Sequence, residues 1–201
     1  MLDPARRRRF ITSRAWARRI IAYYMDVPPA ELVFRLGDNG KPGVRPAGAS
    51  AGLEFSLSHS GDLALLAIAR GSRVGVDVEQ RHRPAAYLAL ARRFFAPAEY
   101  LALKDIPDPE VLAERFLVCW TRKEAYVKAT GFGLTRGLSH FEVTVAPELP
   151  PRLVDDRLDP TAAERWAFLD LNVPDNYCAA LVAESPIEHL QLHEAGELTF
   201  V

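Results

Sequence analysis

Cysteine is almost missing. The 201 residues hold two, Cys119 and Cys178, with no CxxC pair. That argues against a disulfide framework and against a zinc site. Excess charge is missing too: the net charge of −1 gives no overall field to favour nucleic acid or a membrane surface. No apolar run approaches the length of a bilayer span, and the opening residues are not an apolar leader core, so the expected compartment is the cytosol. Lysine is scarce, four of the 25 basic residues. Three of those four, Lys41, Lys123 and Lys128, fall in segments 37–43 and 119–129.

What is present is ordinary for a soluble globular chain: 49% apolar and 25% charged residues. The length suits one large domain or two small fused ones. Neutrality breaks only at the start. Residues 1–20 carry seven arginines against one acid, Asp3. Phe10, Ile11, Trp16, Ile20 and Ile21 interleave with them, so a helix is predicted from Arg7 to Met25, ending before Pro28-Pro29. A solvated basic helix, a transit peptide and a phosphate-binding face all compete for it. Nucleic acid would suit the arginines, but no RRM, helix-turn-helix or zinc-finger pattern accompanies them.

Short strands follow. Glu31–Leu36 alternates weakly, then residues 37–43 form a turn-rich loop containing Lys41. In Leu53–Ser58, Phe55 and Leu57 take one face, Ser56 and Ser58 the other. The strand runs into Ser58-His59-Ser60-Gly61-Asp62, where hydroxyls and an imidazole either hold an anion or cap a turn. Leu63–Ala69 reads as a buried strand. The polar turn 70–73 is the expected seam between halves.

Val74-Gly75-Val76-Asp77-Val78-Glu79 carries the strongest physical signal. On a strand the three valines face a core, and Gly75, Asp77 and Glu79 face the other way. Acids are poor strand formers, and two on one face repel unless a cation joins them. One or two carboxylates plus substrate phosphates are the usual Mg²⁺ arrangement. The alternative is an exposed edge-strand face. Gly75 would let a ligand approach the backbone.

The second half turns helical, over 84–95, 98–104 and 109–130. In Cys119–Ala129, Thr121, Glu124 and Lys128 share one stripe with Leu117. Glu124 and Lys128 alone could be a surface ion pair. Gly131 and Gly133 mark the helix end. Strands are predicted at 140–145, 166–171 and 177–182, with a weaker one at 189–192. Residues 146–164 read as a surface loop.

Gly75-Val76-Asp77-Val78-Glu79, followed by Trp120–Leu134, resembles the paired signature of the 4′-phosphopantetheinyl transferase superfamily. Gly40-Lys41-Pro42, Phe55–Ser60 and Arg92–Glu99 resemble three further family segments, and together they mark the long, monomeric (Sfp-type) branch. The likeness covers residues 6–182. It implies an α+β fold of two similar α/β halves in a pseudo-twofold arrangement, residues 1–72 and 73–201. Coenzyme A is expected in the cleft between them. Long members carry a further segment before the residues that match Arg6–Arg19. The first half is therefore expected either to lack an N-terminal strand or to begin inside the natural chain.

The resemblance implies transfer of the phosphopantetheine arm of coenzyme A to a serine of an acyl or peptidyl carrier protein, releasing adenosine 3′,5′-bisphosphate. It makes Asp77, Glu79 and Glu124 the Mg²⁺ ligands and Lys128 the pyrophosphate contact. Lys41, Ser58 and His59 match nucleotide-holding residues, His59 at the 3′-phosphate. Arg18 or Arg19 matches a basic position in the first helix, and Lys123 a supporting one. Glu124 is the candidate proton acceptor, directly or through a metal-bound water. Two surfaces could take the carrier protein, the Arg-rich first helix and Arg81–Phe95; docking is expected chiefly on the second, with Arg81, Arg83, Arg92 and Arg93 rimming Tyr87, Leu88, Leu90 and Phe94. Two other readings stay open: a binding module for coenzyme A or carrier protein without turnover, and a basic-helix nucleic-acid binder.

Overall fold

Asp108 begins the longest element of the second half. Its carboxylate accepts the backbone N–H groups of Glu110 and Val111, Pro109 occupies the first helical turn, and Gly131 ends the helix in the left-handed region at φ 72°. Those signals give the 22-residue helix Pro109–Thr130, with the bounds the sequence predicted. In this computed structural model, residues 4–37, 40–44, 52–81, 86–133 and 137–194 are described.

In chain order the elements are α1 (Pro4–Met25), β1 (Phe34–Leu36), β2 (Pro42–Val44), β3 (Leu53–Ser60), β4 (Leu63–Arg70), β5 (Val74–Gln80), α2 (Tyr87–Phe94) and α3 (Pro97–Lys104). There follow α4 (Pro109–Thr130), β6 (Phe141–Val143), β7 (Leu153–Asp156), α5 (Ala162–Arg165), β8 (Trp166–Asp170) and β9 (Tyr177–Glu184). The class is α+β. All strand pairs are antiparallel: β1 with β2, β3 with β4, β6 with β7, and a sheet ordered β5-β9-β8.

Each half repeats one plan, a long helix against an antiparallel strand pair. In the first half, α1 lays Ile21, Ala22 and Met25 on Leu53 and Phe55 of β3. In the second, α4 packs on β5 and β9, and the core runs through Phe95, Phe116, Tyr126, Phe141 and Phe168. The halves meet where β3 lies against β5. No helix among the described residues is long and apolar enough to cross a membrane.

Several predicted elements differ. His59 and Ser60 lie in β3 rather than in the turn, which is Gly61-Asp62. β4 is half-buried, not buried, because it forms the edge of a two-stranded ribbon. The expected loop 146–164 contains β7 and α5. The acids Asp155 and Asp156 disguised β7, yet Asp156 is buried and accepts the Tyr126 hydroxyl at 2.7 Å. The weak strand at 189–192 has no regular structure, and its Leu190 and Leu192 are exposed. Helix α2 begins at Tyr87; the predicted start at Pro84 lies outside the described residues, as do Asp38, Asn39, Arg83 and Leu134.

Candidate active site

Gly75 sets the geometry. It faces α4 so closely that a Cβ there would sit 2.0 Å from the Ala125 carbonyl oxygen and 2.4 Å from the Ala129 nitrogen. The glycine therefore admits the helix, not a ligand, which corrects the expectation from the sequence. One consequence is that Asp77, two residues along on the same face, meets the last turns of α4.

Asp77 is 4% exposed. Its Oδ1 accepts the Lys128 ammonium at 2.7 Å and the Ser58 hydroxyl at 2.7 Å. Its Oδ2 is buried with no hydrogen-bond partner among the described residues. Burial pushes the Asp77 carboxyl above the usual carboxylate range, against the pull of Lys128 and Ser58 and with a smaller push from Glu79. Lys128 Nζ also donates to Ser58 Oγ at 3.0 Å and to the Val76 carbonyl at 3.2 Å. Glu79 is held by the Ser60 hydroxyl, 2.8 Å from its Oε2.

Glu124, one helical turn before Lys128, faces the same cluster. Its carboxyl is raised from 4.5 to about 7 by burial first, then by the charges of Asp77 and Glu79, with Lys128 opposing. The structure thus brings together Asp77, Glu79, Glu124, Lys128 and Ser58. No three His, Cys, Asp or Glu groups among the described residues close on one point as a finished metal cage. The donor chemistry nevertheless suits a hard cation that keeps several of its waters: mutually repelling carboxylates, one with a buried oxygen that has no partner among the described residues. Asp77, Glu79 and Glu124 are the residues that could hold it.

Beside this cluster lies a cavity of about 710 Å³, within the usual range for small-molecule sites. Its walls come from α1, β1–β3 and the end of α4. Its polar lining includes Arg14, Arg18, Lys41, Ser56, Glu124 and Lys128, and its apolar lining Ile21, Phe34, Leu36 and Phe55. Lys41 Nζ is steered by the Glu54 carboxylate and the Val74 carbonyl, each at 3.2 Å. Arg18 donates to the carbonyls of Pro29 and Leu32, both at 2.7 Å, and lies over the Phe34 ring.

Other predicted residues sit elsewhere. Ser58 is buried behind the cavity wall, tied into the carboxylate cluster. His59 points to the face of β3 opposite Ser58, the one that carries Phe55 and Leu57, and is exposed near the Phe10 ring. Arg19 is exposed and is not among the lining residues. Lys123 does not fit a coenzyme-binding role. It is 0% exposed and donates to both Glu99 oxygens at 2.7 Å and to the Phe141 carbonyl at 2.6 Å. Because α4 is mostly buried from Phe116 to Ala129, the charges on its covered sides there must find internal partners. Arg122 does so with Asp170 and Thr144.

On the expected docking face, Arg92 and Arg93 are exposed, but Tyr87, Leu88, Leu90 and Phe94 pack against the main core. Arg81 is engaged by Glu114 and the Tyr177 carbonyl. Sequence reasoning missed Glu54, Arg14 and the pairing of Ser60 with Glu79. The spacing of Ser56, Ser58 and Ser60 on one strand against Asp77 and Glu79 on another was the available signal.

The chain is 39% identical over 180 residues to the 4′-phosphopantetheinyl transferase HetI of Nostoc sp., covering 90% of this chain and 72% of that protein. It is 36% identical over 141 residues to the 4′-phosphopantetheinyl transferase psf-1 of Bacillus pumilus, covering 70% of this chain and 58% of that one. A crystal structure of Helicobacter pylori holo-(acyl-carrier-protein) synthase in complex with coenzyme A aligns with a TM-score of 0.42 and 16% identity, over 56% of this chain and 99% of that one. The family model of the 4′-phosphopantetheinyl transferase superfamily matches residues 73–182, the stretch from β5 to β9 that carries the acid pair and α4. The strand bearing Asp77 and Glu79, the helix bearing Glu124 and Lys128, the family-model match and the 39% identity to the Nostoc protein together place the chain in the 4′-phosphopantetheinyl transferase superfamily.

Proposed function

We propose that the chain transfers the phosphopantetheine arm of coenzyme A to a serine hydroxyl of an apo acyl or peptidyl carrier protein, releasing adenosine 3′,5′-bisphosphate. The observation that carries this reading is the carboxylate and lysine cluster of Asp77, Glu79, Glu124 and Lys128 opening beside the basic and apolar cavity. Membership of the superfamily and the relatives' names support it. Residues 1–72 form the nucleotide side and 73–201 carry the reacting groups. The enzyme acts as a cytosolic monomer.

In this mechanism Arg14, Arg18 and Lys41 bind the phosphate-rich end of coenzyme A, and His59, on the face of β3 that also carries Phe55 and Leu57, meets its 3′-phosphate. The apolar wall takes uncharged parts of the substrate. Mg²⁺ held by Asp77, Glu79 and Glu124 would supply charge neutralisation at the pyrophosphate. Lys128, already aimed at the cluster through Asp77, stabilises negative charge on the leaving phosphate. Glu124 takes the proton of the carrier serine. The serine oxygen then bonds to the phosphorus carrying the pantetheine arm, and the bond from that phosphorus to the leaving nucleotide phosphate breaks. Positioning and electrostatics suffice for such a transfer. The carrier protein meets Arg92 and Arg93, whose side chains remain exposed.

The test is mass spectrometry of an apo carrier protein incubated with coenzyme A, Mg²⁺ and this chain. The expected result is addition of one phosphopantetheine, lost in Asp77→Ala and Glu124→Ala. Coenzyme A binding without any mass change would overturn the transferase reading.

A further inference from the structure

The two halves meet along β3 and β5, yet these strands share no backbone ladder. Three serines at alternate positions of β3 replace it. Ser56, Ser58 and Ser60 accept the backbone N–H groups of Val76, Val78 and Gln80 at 3.1, 3.4 and 3.1 Å. All three are buried, at 6, 7 and 5% exposure. The other edge of β5 pairs with β9, so these hydroxyls satisfy N–H groups that a sheet neighbour would otherwise take.

Two of the serines do something more. A hydroxyl has one proton to give as well as lone pairs to accept with. Ser58 gives its proton to Asp77 Oδ1 at 2.7 Å, and Ser60 gives its own to Glu79 Oε2 at 2.8 Å. In each case the acid precedes, by one residue, the N–H that the same serine accepts. Asp77 has a second support in Lys128. For Glu79, Ser60 is the hydrogen-bond donor seen among the described residues.

We propose that Ser60 is a positioning residue: by accepting the Gln80 N–H and donating to Glu79 Oε2 it fixes the Glu79 carboxylate, leaving Oε1 for a divalent cation. This rests on the cation reading of the Asp77, Glu79 and Glu124 cluster. A flexible glutamate at a strand end must lose side-chain freedom to bind a cation. A buried hydroxyl anchored to the backbone removes that loss beforehand. Hydrogen-bond partners that orient metal-binding groups typically change metal affinity about 10–100-fold.

The experiment uses Mn²⁺ as the probe, bound to the full chain with coenzyme A present but no carrier protein, so that no turnover occurs. Free Mn²⁺ is read by electron paramagnetic resonance. Ser60→Ala should weaken Mn²⁺ about 10-fold or more, and Ser60→Thr, which keeps the hydroxyl, should recover most of that loss. Ser56→Ala removes one seam hydrogen bond with no carboxylate on it, so its fall in Tm calibrates the structural cost. Ser60→Ala should lose a similar amount of Tm and bind coenzyme A without metal as tightly as the parent. Unchanged Mn²⁺ affinity in Ser60→Ala overturns the proposal. So does a loss matched by weaker metal-free coenzyme A binding and a Tm drop well beyond that of Ser56→Ala. A parent chain that binds Mn²⁺ through Ser60-supported Glu79 but modifies no carrier protein refutes the transferase reading alone. A parent that binds no Mn²⁺ refutes the positioning role.

Discussion

Gly75→Ala tests the contact on which the candidate site is built. The new Cβ would lie 2.0 Å from the Ala125 carbonyl oxygen and 2.4 Å from the Ala129 nitrogen. The first distance is about 1.4 Å short of ordinary contact at 3.4 Å, and dispersion attraction turns to repulsion well before that. Both atoms are helix backbone, so neither can rotate away as a side chain could. Strand β5 and helix α4 must separate. Overpacking of a well-filled core typically costs about 1–3 kcal/mol, and rigid backbone on both sides puts this case at the top, near 3 kcal/mol. For a chain of this size that is a Tm loss of roughly 6–12 °C. Function should suffer more than stability. Asp77 and Glu79 ride on β5, Glu124 and Lys128 on α4, so the separation pulls the two sets of reacting groups apart. Misplacement by about 1 Å can cost a factor of about 100 in rate. The assay pairs thermal unfolding with phosphopantetheine transfer on the folded protein. Gly43→Ala, whose Cβ would meet nothing within 4 Å, serves as the control. A Gly75→Ala protein with Tm within about 2 °C of the parent and near-parental turnover would refute the contact.

The raised Glu124 carboxyl, at about 7 against 4.5, disfavours the charged form in the fold. Stability of the metal-free chain should therefore decline as pH rises from about 4.5 to about 7. Urea midpoints measured without metal should flatten across that window in Glu124→Gln, and an unchanged slope would refute the raised carboxyl. Lys123→Met leaves Glu99 buried without its cation, so it should cost about 3–5 kcal/mol and roughly 6–20 °C of Tm. Its coenzyme A KM should be unchanged, and a raised KM with intact Tm would restore Lys123 to the binding site. His59→Ala should raise KM for coenzyme A much more than for 3′-dephospho-coenzyme A in steady-state assays, and equal effects would place His59 elsewhere. Arg92→Glu and Arg93→Glu should raise the carrier-protein KM, alter its salt dependence and spare the coenzyme A KM. That pattern in the arginines of α1 instead would move the docking face to the first half.

The chain's own order of residues determined most of the local structure. Asp108, Pro109 and Gly131 bounded α4 because caps and breakers act within a turn of themselves. Alternation placed Asp77 on the face opposite Val76 and Val78, and the spacing of Glu124 and Lys128 set them one turn apart on one helix face. The acid pair and the lysine motif were therefore legible as chemistry before any contact was known. Tertiary packing decided the rest. Gly75 looked like room for a ligand, but the space belongs to Ala125 and Ala129, which are far from it in sequence. Lys123 carried the same charge as Lys128 and stood in the same motif. It is sealed against Glu99 only because α3 and β6 cover that side of α4. Asp155 and Asp156 hid a strand whose pairing with β6 supplied what their propensity lacked. Which side of a helix is buried, and what a buried charge meets there, depends on segments distant in the chain. Local periodicity carries no information about those distant partners.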